Sequence, residues 1–273
     1  MRKQEEKRKK GGLTPFFGSA PLFPLDLVLL VENRSAVQIL TMNRPEKRNA
    51  LNTALTRELL DALRAADAEE SVGCVVLTGA GPGFCAGADL SEFKDLTPDK
   101  RQSVEERAEL TMQLHLAFPK MAKPVVTAIN GAAMGGGAGL AIAGDMAVMA
   151  QGAKLGYPET RHGIVAAIVM ANLVRQVGRK AAFELVALGE PIGAKEALAL
   201  GMVNRVVADS GLLASALQIA QKLCSVKREA LAETKKLFHE VADLPLEEAL
   251  RRGRESNKRM RAFLAHMRAL RKA

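Results

Sequence analysis

The 273-residue chain is 48% hydrophobic and 25% charged, a balance typical of soluble globular proteins that excludes disordered, collagen-like and disulfide-scaffold classes. Its formal charge of +9 suggests a nucleic-acid or other anionic partner, but the cations are concentrated at the two ends of the chain. Residues 1–10 carry six basic and two acidic side chains, residues 251–273 carry nine and one, and the residues between them are slightly acidic overall. A basic binding surface would therefore be confined to the ends.

The cysteines and the uncharged stretches indicate the compartment. Cys74, Cys85 and Cys224 form no C-x-x-C pair and are odd in number, so we expect free thiols, a cytoplasmic location and no metal site. Residues 1–26 begin with a basic run, but prolines interrupt the apolar part that a signal peptide needs, which favours a disordered extension. The uncharged stretch 124–144 contains six glycines, so we expect buried strand and turn there and no membrane span.

Strands and helices alternate along the first part of the chain, which indicates an α/β domain. The apolar patterns predict strands over 27–32, 37–42, 74–78, 125–129, 146–150 and 203–207. They predict helices over 53–70, 97–118, 164–177, 179–188, 194–200 and 212–224, with a short apolar helix ending near 143 and further helix over the last sixty residues. Asn52 or Thr53 is expected to cap the first helix, and Pro98 to take the first helical position of the second.

Two glycine-rich loops, residues 79–87 and 130–137, follow predicted strands, where an α/β sheet presents backbone N–H groups to ligands. The chain has no Gly-Lys pair, which excludes a P-loop, and the G-x-G-x-x-A match at 81–86 opens no helix, which disfavours a dinucleotide site. Two N–H groups that converge on one carbonyl oxygen would form an oxyanion hole, worth about 3–4 kcal/mol per donor. Glycines that only allow tight packing of a helix against a strand explain the pattern equally well.

Five motifs then occur in order: Asn43-Arg44-Pro45 with Asn49-Ala50-Leu51-Asn52, the run at 84–90, Lys123-Pro124 with Asn130-Gly131 and the glycines 135–137, Asp145, and Gly156-Tyr157-Pro158-Glu159. This order resembles the crotonase superfamily, the enoyl-CoA hydratase/isomerase family. The resemblance implies an α/β fold, a spiral of ββα units over 27–207, followed by a helical trimerisation region over 208–273. It also implies a homotrimer or a hexamer.

The resemblance further implies an acyl-CoA thioester as substrate, so coenzyme A belongs to the substrate and no separate cofactor is expected. The thioester oxygen would lie between the N–H groups of Ala88 and Gly136. Glu159 matches the family's catalytic carboxylate, which would carry a proton to or from a carbon near the thioester. Tyr157 and His162 are candidate auxiliary groups.

Gly139 is a departure, because the family's hydratases carry a second glutamate at this position. Hydration uses two carboxylates, whereas one carboxylate can shuttle a proton in double-bond isomerisation. We therefore expect a single-glutamate enoyl-CoA isomerase, with a hydratase that uses a non-standard second group as the alternative. Glu92 and Asp145 are further candidates for that group, although the family's aspartate at 145 is structural. Gly139 is also expected to leave room for a larger substrate, a water molecule or a small anion.

Coenzyme A is expected to contact the loops before these motifs. The candidate residues are Lys47, Arg48, Ala50, Ala86, Asp89 and Leu90. Lys47 and Arg48 could pair with the pyrophosphate or form a solvated basic turn, and backbone groups near Ala50 and Ala86 would face the adenine by resemblance. Asp89 is expected to brace its loop rather than to transfer protons.

Residues 251–264 are basic where relatives often have an acidic stretch. We rank three explanations: a solvated helix face, contact with the 3′-phosphate of coenzyme A, and binding of a polyanion. The chain is only 4% aromatic and has a single tyrosine, so surfaces for base stacking are scarce and a nucleic-acid partner is not expected. A CoA-binding or RNA-binding family member with little catalysis is the alternative from a different functional class.

Overall fold

The structure is a computed structural model, and it describes residues 27–94, 97 and 99–270. The predicted disordered extension, residues 1–26, lies outside the described residues. The strands in the described part are β1 (Leu29–Arg34), β2 (Val37–Met42), β3 (Cys74–Gly79), β4 (Gly83–Cys85), β5 (Val125–Ile129), β6 (Ala132–Met134), β7 (Met146–Ala150), β8 (Lys154–Gly156), β9 (Ile192–Gly193) and β10 (Arg205–Val207). The helices are α1 (Thr53–Ala68), α2 (Arg101–Lys120), α3 (Gly136–Ala141), α4 (Ala167–Val177), α5 (Arg179–Leu188), α6 (Ala194–Ala199), α7 (Leu212–Cys224), α8 (Arg228–Val241) and α9 (Leu246–Leu270).

The main sheet has six strands in the order β1-β2-β3-β5-β7-β10. β1 and β2 form an antiparallel hairpin, and all other neighbouring strands are parallel. The central strand β5 is buried along its whole length, which is typical of a parallel sheet covered on both faces. Helix α7 packs against β3, β5 and β7 on one side of this sheet. The hydrophobic core is built around these strands.

A second sheet has four strands in the order β4-β6-β8-β9. β4, β6 and β8 are parallel, and β9 is antiparallel to β8. Along the chain, β3, β5 and β7 of the main sheet are each followed by one strand of the second sheet, and α2 and α3 then lead back to the main sheet. This is a spiral of ββα units, so the α/β fold class predicted from the sequence is confirmed.

Helix α1 forms as its leucine spacing predicts, with its apolar stripe fully buried. The side-chain oxygen of Asn52 accepts a hydrogen bond from the backbone N of Leu55 at 2.9 Å, so Asn52 is the N-cap. The carboxylate of Glu92 adds two acceptors for the backbone N of Thr53, at 2.9 and 3.0 Å. The helix ends at Ala68, two residues before the predicted end.

Several predicted boundaries are wrong. The sequence predicts one loop over 79–87, but β4 lies within it, and β6, β8 and β9 are likewise unpredicted, because strands of two or three residues show no alternation. The second helix begins at Arg101 rather than at Thr97, while Pro98 lies outside the described residues. The helix predicted from residue 164 begins at Ala167, and residues 164–166 have no regular structure.

The final part of the described chain is helical, as predicted, and a buried ion pair joins it to the sheet. Nζ of Lys235 on α8 donates to Oδ2 of Asp145 at 2.8 Å and to the carbonyl oxygen of Lys123 at 2.9 Å. Oδ2 of Asp145 also accepts from the backbone N of Val125 at 2.7 Å. Asp145 therefore has a structural role. Among the described residues, no helix combines the length and the apolar character that crossing a membrane requires.

Candidate active site

Three segments that carry predicted site residues follow the parallel strands of the second sheet. Ala88 lies three residues after β4, Gly136 two after β6 and Glu159 three after β8. Because the carboxyl ends of parallel strands meet at one edge of a sheet, these residues converge. The backbone N of Gly135 donates to the carbonyl oxygen of Gly156 at 2.8 Å, which joins the second segment directly to the third.

The N–H groups of Ala88 and Gly136 lie close together. A Cβ built on Gly136 would be 3.8 Å from the backbone N of Ala88, and one on Gly87 would be 3.3 Å from the backbone N of Gly136. The backbone N of Leu51 donates to the carbonyl oxygen of Gly87 at 2.7 Å, and the backbone N of Asp89 donates to the carbonyl oxygen of Leu51 at 3.1 Å. The N–H groups of Ala88 and Gly136, by contrast, have no acceptor within the described residues. Gly136 opens α3, where N–H groups have no intrahelical partner. Two such donors can bind one oxygen atom.

The packing explanation for the glycines applies to Gly137 and Gly131. A Cβ on Gly137 would lie 2.1 Å from the carbonyl oxygen of Cys85, and one on Gly131 would lie 2.0 Å from that of Pro82. A side chain at Gly137 would push the start of α3 away from β4, and one at Gly131 would push the start of β6 away from the start of β4. These two glycines thus hold the loops together, while Gly136 presents a donor.

Glu159 lies on a turn of 3-10 helix, Pro158–His162, and its side chain is half-buried against Gly135. Its Oε1 is 2.8 Å from the position that a Cβ on Gly135 would take, and its Oε2 is buried without a partner in the described part of the chain. Burial raises the pKa of Glu159 above its ordinary value, and a backbone hydrogen bond and the nearby His162 oppose that shift. A carboxylate of raised pKa is suited to accept and return a proton.

The turn that carries Glu159 forms hydrogen bonds with the end of α5. Oγ1 of Thr160 donates to the carbonyl oxygen of Val186 at 3.0 Å, and Nε of Arg161 donates to that of Leu188 at 2.8 Å. Arg161 is therefore engaged away from the Glu159 carboxylate. Its role is to position the turn.

The two candidate auxiliary groups, Tyr157 and His162, differ in burial. His162 is exposed at the end of the turn, whereas Tyr157 is fully buried beneath it. The hydroxyl of Tyr157 has no partner within the described residues, and burial together with the Glu159 charge raises its pKa, so it stays protonated. A neutral hydroxyl beside the carboxylate can donate a hydrogen bond but cannot act as a base at neutral pH.

The space beside Gly139 is filled, which corrects the expectation that a substrate, a water molecule or an anion would occupy it. A Cβ on Gly139 would lie 2.3 Å from Cγ1 of Val169 and 2.9 Å from Cε1 of His115. Val169 reaches this position from α4 and His115 from α2. No pattern in the sequence points to His115, which lies beside the buried stripe of α2 formed by Leu110, Leu114, Ala117 and Phe118.

Neither Glu92 nor Asp145 is placed to serve as a second acid–base group. Glu92 accepts from the first turn of α1 and lies 3.6 Å from Nε of Arg107, and Asp145 is held by Lys235. Within the described residues, no group of three or more His, Cys, Asp or Glu side chains could hold a metal ion.

The family model for enoyl-CoA hydratase/isomerase matches residues 32–269, which is most of the chain. The chain belongs to this family. Members act on acyl-CoA thioesters, and the paired N–H groups beside a buried carboxylate are consistent with that chemistry.

The chain is also similar to individual members of the enoyl-CoA hydratase/isomerase family. The chain is 36% identical over 230 residues to the 2,3-dehydroadipyl-CoA hydratase of Escherichia coli, covering 83% of this chain and 88% of that protein. It is 38% identical over 224 residues to a Rhizobium meliloti protein named "Probable enoyl-CoA hydratase", covering 82% and 85%. The crystal structure of an enoyl-CoA hydratase from Mycobacterium smegmatis matches with a TM-score of 0.81 at 32% identity, covering 85% and 90%. The crystal structure of an enoyl-CoA hydratase from Bacillus anthracis matches with a TM-score of 0.83 at 29% identity, covering 90% of this chain and 96% of that chain.

In this family member, the candidate CoA residues lie on two adjoining loops. The backbone N of Ala86 donates to the carbonyl oxygen of Arg48 at 2.9 Å, and that of Ala50 donates to the carbonyl oxygen of Lys47 at 3.0 Å. The N–H groups of Ala50 and Ala86 are thus already paired. The side chains of Lys47 and Arg48 are exposed and form no ion pair within the described residues, which is compatible with pyrophosphate binding.

Asp89 braces its loop, as the sequence predicts. Its Oδ2 lies 2.9 Å from Nη1 of Arg44, and its Oδ1 accepts from Oγ of Ser91 at 2.6 Å. The Ser91 and Arg44 hydrogen bonds lower the pKa of Asp89, so it is a charged structural group and not a proton carrier. The next residue, Leu90, is 53% exposed and is the more accessible of the two to a ligand.

Residues 251–264, the basic segment near the C-terminus, form ion pairs with nearby glutamates. Arg251 and Arg252 pair with Glu247 and Glu248 one turn earlier, at 2.5 and 3.2 Å. The remaining pairs in the described part of the segment are Arg251–Glu248, Arg254–Glu255, Lys258–Glu255 and Arg259–Glu233. This arrangement favours a solvated helix face over a surface that binds a polyanion.

Proposed function

We propose that this chain catalyses the hydration of trans-2-enoyl-CoA thioesters. The position of the Glu159 carboxylate, which lies against Gly135 next to the N–H donor Gly136, supports acid–base chemistry on a thioester. The observation that favours hydration over isomerisation is that the relatives from Escherichia coli and Rhizobium meliloti are named hydratases. The isomerase preferred from the sequence becomes the second candidate.

The chemistry follows from charge development on the thioester. When the water oxygen bonds to the β carbon, the electron pair of the double bond moves onto the thioester oxygen and forms an enolate. The N–H groups of Ala88 and Gly136 would stabilise that oxygen, each by about 3–4 kcal/mol. Glu159 would accept a proton from the water and deliver it to the α carbon, which ends the cycle with the carboxylate unchanged.

Isomerisation is the second candidate because Gly139, on α3, supplies no carboxylate at the position where the family's hydratases carry a second glutamate. A single carboxylate can remove a proton from one carbon and return it to another without any water. Glu159 and the two N–H donors would be sufficient for that reaction. The two candidates therefore share the same base and oxyanion hole and differ in whether a water molecule is held.

The decisive experiment gives the purified chain a trans-2-enoyl-CoA and a 3-enoyl-CoA of equal chain length in parallel assays. We expect 3-hydroxyacyl-CoA from the first substrate at an enzymatic rate. Conversion of the second substrate to the 2-enoyl form without hydration of either would replace the proposal by the isomerase. Binding of both substrates with no turnover would favour a CoA-binding protein instead.

A homotrimer or hexamer is part of the proposal. Large apolar side chains are exposed on the single chain, with Phe183 71% and Leu188 55% exposed on α5 and Phe238 67% exposed on α8. Exposed apolar patches mark association surfaces in many proteins. Light scattering of the purified protein should give a mass that is a multiple of three chains, and a monomeric mass would reject this part.

A further inference from the structure

Arg107 is a mostly buried arginine of α2 whose guanidinium contacts three other residues. Its Nη2 donates to the carbonyl oxygen of Leu51 at 2.8 Å, and its Nη1 donates to Oγ1 of Thr111, one turn further along α2, at 2.5 Å. Its Nε lies 3.6 Å from Oε2 of Glu92, and the side chain is only 12% exposed. A guanidinium presents its donors in a rigid planar fork, so these three partners together fix its position. The proposed reaction does not yet explain this group.

Leu51, which accepts from Arg107, is paired with the loop that carries Ala88. The two residues form an isolated parallel β-bridge. Both backbone hydrogen bonds of Leu51 in this bridge go to the neighbours of Ala88, from Leu51 to Gly87 at 2.7 Å and from Asp89 to Leu51 at 3.1 Å. The N–H of Ala88 itself therefore points to the opposite side, away from Leu51. The position of Leu51 thus sets the direction of this donor.

Leu51 is also a neighbour of the second donor. Its Cδ1 lies 3.6 Å from the position that a Cβ on Gly136 would take, and that position lies 3.8 Å from the backbone N of Ala88. The backbone of Leu51 therefore orients one donor, while its side chain packs against the residue that presents the other. A displacement of Leu51 would change how the two N–H groups face one another.

Arg107 and Glu92 hold the chain on both sides of Asn52. Arg107 donates to the carbonyl oxygen of Leu51, and the carboxylate of Glu92 accepts from the backbone N of Thr53 at 2.9 and 3.0 Å, where α1 begins. Among the described residues, no other side chain donates to the Leu51 carbonyl oxygen. Removal of the Arg107 guanidinium would therefore release the side of this segment that is paired with the Ala88 loop.

We propose that Arg107 is a positioning residue for the oxyanion hole, which keeps the N–H of Ala88 aligned with that of Gly136 by holding the carbonyl oxygen of Leu51. Alignment matters because both donors have to reach one oxygen, at about 2.7–3.1 Å. The inference rests on the proposed function, since it needs a thioester oxygen between the two N–H groups. Hydration and isomerisation share that oxygen, so the role of Arg107 is the same in either reaction.

The test measures how strongly the two N–H groups polarise a bound thioester. Hydrogen bonds to a carbonyl oxygen weaken the C=O bond, so a saturated acyl-CoA with a ¹³C-labelled carbonyl should show a lower infrared stretching frequency in the wild-type complex than in solution. Arg107→Met keeps the apolar stem without a donor, and its complex should shift back toward the solution value. Its kcat should fall by about 10-fold to 10²-fold with a smaller change in KM, less than the 10²–10³-fold cost of losing an oxyanion donor.

Two further variants accompany Arg107→Met. Arg107→Lys retains a charged donor on a flexible stem, so its stretching frequency and kcat should lie between those of the methionine variant and wild type. Arg101→Met makes the same substitution at an exposed position in the first turn of α2 and should match wild type in both quantities. Thermal unfolding of every variant reports whether the fold is intact.

The outcomes separate this inference from the proposed function. A wild-type stretching frequency in the Arg107→Met complex would overturn the positioning role even if kcat falls, because an arginine with only a structural role leaves the bound thioester unchanged. If Arg107→Met does not fold, wild-type values of both quantities in Arg107→Lys would overturn it. A wild-type protein that binds the acyl-CoA without lowering the frequency would overturn the oxyanion hole itself, and the role of Arg107 with it.

Discussion

Oε1 of Glu159 lies 2.8 Å from the place that a Cβ on Gly135 would occupy, so the candidate base and the turn that opens α3 are in direct contact. Gly135 also has a φ of +52°, which L side chains rarely adopt. The same residue therefore has to be glycine for two reasons, one conformational and one steric.

Gly135→Ala should consequently damage both stability and activity. We expect a loss of about 1–3 kcal/mol in unfolding free energy from backbone strain, and a fall of about 10²-fold in kcat from displacement of the carboxylate. Gly193→Ala is the matched control, because a Cβ at Gly193 meets nothing within 4 Å. Denaturant unfolding and steady-state kinetics measure the two effects. A Gly135→Ala enzyme with wild-type kcat would show that the Glu159 contact is irrelevant to turnover.

The pH dependence of hydration should report the raised pKa of Glu159. The base must be ionised, and burial holds its pKa above the ordinary glutamate value of 4.5. As pH falls through that raised value, kcat/KM should decline along a single acid limb. A profile of kcat/KM between pH 4 and pH 9 measures the limb. An acid limb at or below the ordinary value would contradict the burial of this carboxylate.

The same shift affects stability. Because the folded state binds the Glu159 proton more tightly than the unfolded state, its contribution favours folding at low pH and is lost as pH rises through the raised pKa. Wild type should therefore lose stability relative to Glu159→Gln over that window. Urea unfolding of both proteins at several pH values tests this, and a pH-independent difference would argue against the shift.

Gly139→Ala should be destabilising, because its Cβ would lie 2.3 Å from Cγ1 of Val169. Overpacking of a core typically costs about 1–3 kcal/mol. Val169→Ala removes the atom in question, so the double variant should be more stable than the sum of the single effects indicates. A double-mutant cycle of unfolding free energies measures the coupling. Strict additivity would mean that Val169 does not fill the space beside Gly139.

Asn49 should be the strongest support of the first loop. It is fully buried, and its Nδ2 donates to the carbonyl oxygens of Ala80 and Gly83, each at 2.9 Å. Asn49→Ala leaves the carbonyl oxygen of Ala80 without its donor and the backbone N of Arg44 without its acceptor, at a cost of about 1–3 kcal/mol each, while the carbonyl oxygen of Gly83 keeps Nδ2 of Asn130 at 3.2 Å. The exposed Asn257→Ala is the control, and calorimetry measures both. Equal unfolding temperatures for the two variants would contradict the buried network.

The sequence predicted the parts of this site better than their arrangement. Helix α1 and the strands of the main sheet have long apolar patterns that survive in the structure, whereas spacing alone leaves the glycine loops open between N–H donors and packing, and only the family resemblance favours donors. The three-residue strands β4, β6 and β8 were not predicted, although they bring Ala88, Gly136 and Glu159 to one edge. Nothing in so short a strand distinguishes it from a loop until its neighbours pair with it.

The sequence does not predict which side chains surround Gly139, and the reason differs from that for the short strands. The absence of a side chain predicts space, but Val169 occupies it from a helix thirty residues further along the chain. His115 lies at the border of the apolar stripe on α2, where the pattern does not decide between burial and exposure. Only the packing of α2 and α4 around α3 identifies either residue.

The rate of hydration of a trans-2-enoyl-CoA by Glu159→Gln, measured beside the exposed Glu184→Gln, tests the role of the carboxylate most directly. Glutamine keeps the shape of the side chain but cannot accept a proton. We expect kcat to fall by about 10²–10⁴-fold in Glu159→Gln and to stay unchanged in Glu184→Gln. A Glu159→Gln enzyme that hydrates the substrate as fast as wild type would show that another group carries the proton.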